Sequence, residues 1–388
     1  MRGLSDNGRT PMSKALSGDV AIVGGSLAGL AAGIGLARSG LSVTVFEQAA
    51  GEERGGTGLG VERALISETT GVDASVDGVT RALPVVNEGY RDTSTWLAIF
   101  RWLRAVADAT EGLVVQESSR IDVVTSAGEE AVLSGPSVRA SASVAIGADG
   151  YRSIVRRAVW PVQPYAPYGG FLIWRALVAE LWLPSALLAQ TYLGGGRSHH
   201  PEAARLVVYR VPGPDGATSP GTRSITVAWY DASRTGWLRE RGYLVGNEVM
   251  GSVPETAIDD ELRAELLQTI ERRWHGAARE ILRLAVERRV LFGTPLSEYL
   301  PTRLVGGRVG IMGDAAHVAS PMVGAGFSSG LADGAAFIAA VRRSGGTTGE
   351  AGQQALREYD ETRLAPNRER VLESLAATED LRRSLQSR

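Results

Sequence analysis

The stretch DVAIVGGSLAGLAAGIGLARSGLSVTVFEQ, residues 19–48, decides the fold. Residues 20–23 form a short apolar run of the kind that becomes a strand buried on both faces. The glycine-rich turn 24–29 leads into small and apolar residues at helical spacing. Residues 41–46 predict a second strand, and Glu47 follows it directly. The stretch therefore predicts a strand, a turn, a helix and a strand that ends at an acid.

This order of elements is typical of a dinucleotide-binding unit. A helix N-terminus offers free N–H groups and partial positive charge to a pyrophosphate, and glycines let the backbone approach it. Glu47 lies 47 − 24 = 23 residues after Gly24, where an acid can hydrogen-bond a ribose hydroxyl. Ser26 replaces the second glycine of the usual pattern, and its hydroxyl can donate to a phosphate. An ordinary strand–turn–helix is the alternative for the glycines alone.

The amino-acid composition limits the classes of protein to which this chain can belong. The 388 residues are 44% hydrophobic and 22% charged, and the net charge of −2 gives no footprint for nucleic acid. The absence of cysteine excludes disulfides, a redox-active cysteine pair and thiolate zinc sites, and we expect no metal site. No apolar run reaches the ~18 residues of a membrane span. Residues 1–17 lack the apolar centre of a signal peptide, so we expect a disordered leader and a cytoplasmic protein.

Two later segments repeat the combination of strand, glycine turn and acid. An apolar run at 144–146 enters the turn GADG, which contains Asp149. A strand predicted over 308–312 enters GDAAH, which contains Asp314, and a Pro/Gly loop and a helix over 327–341 follow. Turn acids are common, so ordinary turns are the alternative for each segment alone.

Together, GGSLAG at 24–29, GADGYRSIVR at 147–156 and GDAAHVASPMVGAGFSSGLAD at 313–333 resemble the single-component FAD-dependent aromatic hydroxylases. These enzymes share the para-hydroxybenzoate hydroxylase fold, and the order and spacing of the segments match it over about residues 19–375. The pair Trp174–Arg175 and the GGS turn look like the 2,6-dihydroxypyridine 3-hydroxylase branch. The resemblance implies an α/β fold, in which a Rossmann-like FAD-binding domain is interleaved with a β-sheet substrate domain before C-terminal helices.

The expected domains follow from this resemblance and from the local patterns. We expect the FAD-binding domain to be discontinuous, over 18–165 and 286–345. A β-rich substrate domain is expected over 166–285, and whether part of 75–100 joins it stays open. Residues 346–388 predict a C-terminal helical segment. A glycine-rich loop over 51–60 should lie across the nucleotide, and amphipathic spacing predicts helices over 93–109 and 258–274.

The resemblance also implies which residues contact the cofactor. The pyrophosphate and adenosine ribose would be held by Gly24, Gly25, Ser26, Leu27, Ala28, Gly29, Glu47 and Gln48. The flavin and its ribitol would be held by Thr57, Gly58, Asp149, Gly313, Asp314, Pro321, Gly324, Ala325, Gly326 and Phe327. Asp149 would also support the reduced nicotinamide, and Ala325 stands where the family often has glutamine.

The activity implied is that of a monooxygenase. NADH or NADPH would reduce bound FAD, O₂ would add, and a flavin hydroperoxide would hydroxylate an electron-rich aromatic or enolic small molecule. No catalytic residue is identified, and candidate bases by position alone are Tyr168, His199, Tyr209, Arg210 and Tyr230. Open alternatives are an epoxidase, a Baeyer–Villiger oxygenase, a double-bond reductase and a non-catalytic flavin-binding protein. Substrate, choice of nicotinamide and oligomeric state stay open.

Five residues have structural interpretations that we weigh above catalytic ones. His317 lies close to Asp314 in sequence and could be taken for a catalytic residue. We interpret it as a packing residue, because flavin chemistry needs no histidine at this point. His199 and His200, without acids nearby, predict solvated side chains rather than a metal pair. Trp174 and Arg175 predict a packing aromatic and a surface or interdomain ion rather than substrate contacts.

Overall fold

The computed structural model describes residues 16–51, 56–75, 81–89, 91–188, 198–199, 205–324 and 326–386. Within these ranges the strands are β1 (Leu16–Val23), β2 (Val43–Phe46), β3 (Gly58–Val61), β4 (Val86–Asn87), β5 (Asp92–Thr95), β6 (Leu113–Gln116), β7 (Val123–Ala127), β8 (Glu130–Ser134), β9 (Arg139–Gly147), β10 (Tyr168–Ala179), β11 (Ser198–His199), β12 (Arg205–Val211), β13 (Ser224–Asp231), β14 (Leu244–Val245), β15 (Glu248–Val249), β16 (Phe292–Ser297), β17 (Val305–Gly306) and β18 (Val309–Ile311). The helices are α1 (Leu27–Ala37), α2 (Arg63–Thr70), α3 (Trp96–Asp108), α4 (Arg156–Val159), α5 (Ser185–Leu188), α6 (Thr235–Glu240), α7 (Asp260–Arg273), α8 (Gly276–Glu287), α9 (Gly326–Ser344) and α10 (Gly349–Gln386).

The first sheet confirms the α/β class. Its order is β17-β18-β9-β1-β2-β6, and the strands from β18 to β6 run parallel. Strand β18, residues 20–23 of β1 and residues 144–147 of β9 are buried on both faces, as their continuous apolar sequences predict, whereas the edge strand β6 is partly exposed. Helices α1 and α9 lie together against the sheet. Strand β1 begins at Leu16, because Leu16 and Ser17 pair with Ala140 and Ser141. The expected leader is therefore too long by these two residues, and residues 1–15 lie outside the described part.

The register of the parallel strands aligns their carboxyl ends. Val23 of β1 is the register partner of Gly147 in β9, and Gly147 is the partner of Ile311 in β18. The three glycine–acid turns begin directly after these residues. Because parallel strands end at one edge, the fold brings together three segments that are distant in sequence.

A second sheet of order β11-β12-β13-β10-β16 follows the predicted β-rich region. Strand β16 pairs antiparallel with β10, so this sheet continues past residue 285, where we expected the substrate domain to end. The side chains alternate between two faces. One face buries Trp174, Trp229 and their neighbours against α7 and α8, and the other contacts the segments around Gly58 and Met322.

Several predicted boundaries shift. Thr93–Thr95 belong to β5 rather than to the predicted helix, since β5 pairs with β3 and the helix begins at Trp96, after the Thr95 cap. Strand β3 lies within the predicted 51–60 loop, whose residues 52–55 lie outside the described part. Thr93 Oγ1 donates to the Arg210 backbone oxygen at 2.6 Å, so part of 75–100 contacts the second sheet.

The C-terminal helix α10 lies within the predicted helical segment 346–388 and contains Pro366. It packs along α9 and reaches the second sheet, where Arg382 Nη2 donates to the Gly169 oxygen at 2.9 Å. No helix in the described ranges is long and apolar enough to cross a membrane.

Candidate active site

The three glycine–acid turns contact one another. Gly24 has φ +106°, and a Cβ at this position would lie 2.4 Å from the Ala148 backbone oxygen. Ala28, at the start of α1, lies against the third turn. A Cβ added at Gly313 or at Gly330 would lie only 3.2 Å from the Cβ of Ala28. Only small residues allow this approach. The first turn is thus in contact with both the second and the third.

The nucleotide end of the site fits an FAD pyrophosphate and ribose. Glu47 Oε2 accepts from Gly25 N at 2.8 Å and Oε1 accepts from Ala49 N at 2.8 Å, which fixes the carboxylate beside the turn. Each carboxylate oxygen has two lone pairs, so a ribose hydroxyl can still donate to it. Ser26 caps α1 without a side-chain hydrogen bond to the helix, which leaves its hydroxyl for a phosphate. Gln48 is exposed next to Glu47.

Asp149 and Asp314 lie beside these turns. Asp149 Oδ2 accepts from Ile154 N at 2.7 Å, whereas its buried Oδ1 has no hydrogen-bond partner of normal geometry among the described residues. Asp314 is exposed to solvent as a residue, although many protein atoms lie near its carboxylate and partly desolvate it. Burial raises the pKa of both carboxyl groups above the ordinary value. Two desolvated acceptors that face a cleft suit the hydroxyl groups of a ribitol chain.

The loop after the third turn forms a second wall. Ser320 Oγ accepts from Met322 N at 3.2 Å and begins a short 3₁₀ turn, Pro321–Val323. Gly324 ends the turn with φ +65°, a conformation that favours glycine. Pro321 and Gly324 are exposed towards the cleft, and Ala325, a predicted contact, lies outside the described residues.

Helix α9 begins at Gly326, one residue before the predicted start. A Cβ at Gly326 would lie 4.0 Å from Asp314 Oδ1, so the helix start and the carboxylate face the same space. Phe327 is half-buried and packs on the apolar cluster around α1 and α3. Free N–H groups at a helix start stabilise negative charge, including the charge that a reduced flavin carries.

The second sheet covers the opposite side through Thr57 and Gly58. Gly58 N donates to Thr226 Oγ1 at 3.1 Å, and Tyr209 Oη donates to the Gly58 oxygen at 2.6 Å. Arg175 Nη2 hydrogen-bonds the Thr57 hydroxyl. The predicted cofactor loop is therefore bound to the sheet by three strands, β10, β12 and β13. The interpretation of Arg175 as a surface or interdomain ion is wrong in its first half, since the side chain enters the interior.

The positional candidates for a base separate into two groups. Tyr209 and Tyr230 lie on the flavin-facing side of the second sheet, and β12 also supplies Arg205, whose Nη2 donates to the Met322 oxygen at 3.3 Å. Tyr168 lies near Thr235, and Arg210 points to the other face, where it pairs with Glu180 at 2.9 Å. The side chains of His199 and His200 lie outside the described residues.

Sequence reasoning missed Arg156, which joins the second turn to the third. Its fully buried guanidinium donates to the backbone oxygens of Tyr151, Asp314 and Ala315 at 3.1, 2.9 and 2.8 Å. Its cation also lies 4.1 Å from the ring centroid of Tyr299. Burial lowers the Arg156 pKa. The available signal was an arginine among the apolar residues of SIVRRAV, on the buried side of a short helix.

A second missed group is the buried carboxylate of Asp333. Asp333 Oδ2 accepts from Gly313 N at 2.9 Å and lies 2.7 Å from His317 Nε2. Its Oδ1 accepts from Arg363 Nε at 2.8 Å and from Asn367 Nδ2 at 2.9 Å. The structural interpretation of His317 is thus confirmed, because its ring supports the third turn from behind.

Comparisons with known proteins agree with this geometry. A model of the FAD binding domain family matches residues 265–374. The 2,6-dihydroxypyridine 3-monooxygenase of Paenarthrobacter nicotinovorans is 24% identical in an alignment of 333 positions that covers 79% of this chain and 78% of that protein. The aurachin C monooxygenase/isomerase of Stigmatella aurantiaca is 24% identical in an alignment of 345 positions that covers 79% of this chain and 76% of that protein.

Solved structures share the fold. The 2,6-dihydroxypyridine-3-hydroxylase from Arthrobacter nicotinovorans superposes with a TM-score of 0.75 at 19% identity, covering 95% of this chain and 93% of that chain. The Klebsiella pneumoniae protein HpxO, complexed with FAD and uric acid, gives a TM-score of 0.63 at 19% identity, with 94% and 88% coverage. With the three turns assembled at one sheet edge, these similarities indicate an oxidoreductase and support its assignment to the FAD-dependent monooxygenases of the aromatic hydroxylase type.

Proposed function

We propose that this protein uses NADH or NADPH and O₂ to hydroxylate an electron-rich aromatic or enolic small molecule. In the overall reaction one oxygen atom enters a C–H bond of the substrate and the other leaves as water. The reduced nicotinamide supplies the two electrons as hydride, and one proton comes from solvent. The relatives named for hydroxypyridine and aurachin oxygenation support this class of substrate.

One observation carries the proposal. The Gly24 turn, to which Glu47 is hydrogen-bonded, meets the turns that contain Asp149 and Asp314 at the aligned ends of three parallel strands, and a second sheet bearing polar side chains lies across from them. A site that bound only a nucleotide would need the first of these features but not the second wall. A cleft between a cofactor edge and a mixed polar and apolar sheet face is what a small substrate requires.

The chain's own residues would bind, orient and enclose the reactants. Glu47 and the start of α1 would hold the ribose and pyrophosphate, and Asp314 the ribitol. The flavin, when bound and reduced, supplies the oxygen-activating chemistry. The start of α9 would stabilise negative charge on the cofactor, and the second sheet would exclude water from the reacting face.

The test begins with the absorption spectrum of the purified protein, which should show bound flavin. NADH and NADPH oxidation and O₂ uptake are then measured with and without phenols and hydroxypyridines. We expect a substrate that accelerates both and yields a product heavier by one oxygen atom. The product structure separates hydroxylation from epoxidation and from Baeyer–Villiger insertion. Reduction of a substrate double bond without O₂ uptake, or flavin whose reduction no aromatic ligand accelerates, contradicts the proposal.

A further inference from the structure

Arg175, on the side of the second sheet that faces Thr57, has no ion-pair partner among the described residues. Within the described residues its side chain makes one hydrogen bond, to the Thr57 hydroxyl, and no ion pair. Its Nε atom is buried and has no hydrogen-bond partner there. Burial lowers the Arg175 pKa, although Tyr209, Tyr230 and Asp314 oppose the effect. A guanidinium remains charged even so, and an unpaired charge at such a position costs free energy that an anion would recover.

The surroundings of Arg175 leave room for a planar ligand. Ala228 is its register partner on β13, and Val207 on β12 is the partner of Ala228. All three residues are only half-buried, whereas the residues before and after them on the same strands are buried. The small side chains of Ala228 and Val207 thus form a partly accessible surface in the middle of the sheet, and Arg175 lies at the edge of this surface.

Tyr230 supplies a second polar group beside this surface. It lies on β13 two residues beyond Ala228, on the same face, opposite Ile173. Its buried hydroxyl has no hydrogen-bond partner of normal geometry among the described residues. Burial raises its pKa to about 12, so the hydroxyl stays protonated and can donate.

Two further arginines from other elements approach this face. Arg205 on β12 reaches Met322, and Arg91 lies over the Tyr209 ring at 4.9 Å from its centroid. Asp314 is an acid whose charge acts on Arg175. Because Arg175 itself makes no ion pair among the described residues, its position favours an anionic ligand.

We propose that Arg175 is the counter-ion of an aromatic substrate that binds as an oxyanion, and that Tyr230 donates a hydrogen bond to the same ligand. This inference rests on the proposed function for its choice of ligand. The oxyanion is a ring phenolate or enolate, or a carboxylate on the ring, and the experiment separates these sources.

The first arm measures binding, not turnover. The FAD-loaded protein is titrated with benzoate and with benzamide, its neutral analogue of similar shape, and the change in flavin absorbance gives each Kd. We expect the wild type to prefer benzoate, and Arg175→Met to lose about 30-fold or more in benzoate affinity, as when one partner of a buried charge pair is removed. Arg175→Lys, which keeps the charge, should retain part of the preference. Arg120→Met is the control, because Arg120 is exposed and pairs only with Asp122 on the surface.

The second arm uses 4-nitrophenol, whose phenolate absorbs visible light. If the site binds phenolates, the bound probe should ionise at a lower pH than the free probe in the wild type, and not in Arg175→Met. Tyr230→Phe should weaken phenolate binding about tenfold, since a donor to a charged group is lost. A response to nitrophenolate without one to benzoate assigns the phenolate or enolate as the ligand, and the reverse assigns the carboxylate.

Equal wild-type affinity for benzoate and benzamide together with an unshifted nitrophenol titration overturns the inference. An anion preference that survives in Arg175→Met also overturns it. Loss of FAD from Arg175→Met, with unchanged ligand preference in the fraction that keeps FAD, overturns it by assigning Arg175 to the cofactor. Because binding is read without NAD(P)H or O₂, failure of the proposed function shows separately as absent substrate-dependent oxygen uptake.

Discussion

The guanidinium of Arg156 donates through Nη2 to the Asp314 backbone oxygen at 2.9 Å, so the second glycine–acid turn holds the third in place. Arg156 makes this bond from inside the protein, where water cannot replace it. The position of Asp314 therefore depends on a residue 158 positions earlier in the chain.

Replacing this cation should affect both stability and the cofactor. Arg156→Met leaves buried carbonyl groups without donors, so we expect the free energy of unfolding to fall by about 3 kcal/mol. Denaturant unfolding measures the loss, and bound FAD should fall with it. Arg157→Met is the matched control, because Arg157 is exposed on the same helix and should change stability by less than about 0.5 kcal/mol. Equal effects of the two substitutions would contradict the assigned role.

Alanine substitutions at two glycines should distinguish the free-energy cost of a left-handed backbone conformation from the free-energy cost of a steric clash. Gly24 and Gly40 both have positive φ, but a Cβ at Gly40 meets nothing within 4 Å, whereas one at Gly24 meets the Ala148 backbone. We expect Gly40→Ala to destabilise by about 1 kcal/mol and Gly24→Ala by about 3 kcal/mol or more. Thermal or denaturant unfolding compares the two, and only Gly24→Ala should also lower FAD affinity.

Removing the Asp314 carboxylate should release the cofactor without unfolding the protein. The carboxylate is desolvated and faces the cleft, so Asp314→Ala should keep near-normal stability and lose most of its FAD. The ratio of flavin to protein absorbance after gel filtration measures the loss. Asp215→Ala, at an exposed turn, is the control. Normal flavin content in Asp314→Ala would refute the assignment of Asp314 to the ribitol.

The Asp333 network predicts a pH dependence of stability. Burial alone would raise the Asp333 pKa, but His317 and Arg363 outweigh it, so the net pKa is below the ordinary value. A group with a depressed folded pKa stabilises the fold above its unfolded pKa, about 3.9 for aspartate, and loses this contribution as the pH falls through the folded value.

We therefore expect Asp333→Asn to lower the free energy of unfolding by about 3 kcal/mol at neutral pH. The difference from the wild type should shrink below about pH 4, where the wild-type carboxylate begins to protonate. Urea unfolding across this pH range provides the measurement. A difference that stays constant down to acid pH would show that the charge of Asp333 does not stabilise the fold.

The local part of the site could be predicted from the sequence because each turn carries its own chemistry. Gly24, Asp149 and Asp314 follow strands, and the alignment of strand ends brought them together as expected. The resemblance supplied what local patterns could not, the expectation that the three segments share a cofactor. The short strand β5 was missed because Thr93–Thr95 precede a strong helix, and their pairing with β3 is a tertiary contact.

The supporting residues were harder to predict. Arg156 and Asp333 are charged residues inside the fold, and burial of charge depends on partners that lie far away in sequence. Arg175 is another residue whose surroundings could not be predicted from the sequence. Alternation along β10 places it on one face of the strand, but only the packing of the second sheet on Thr57 shows that this face is the interior. Sequence patterns assign a face, and tertiary structure decides what the face meets.

The last helix in the described ranges links parts of the site that are distant in sequence. Arg363 and Asn367 of α10 bind Asp333, and Ser374 Oγ accepts from Ser320 N at 2.6 Å and donates to Glu298 at 2.5 Å. The third turn with its loop and the end of the second sheet therefore share one brace. Removal of α10 from Arg363 onward should weaken cofactor retention, and a truncated protein that keeps its full flavin content would contradict this expectation.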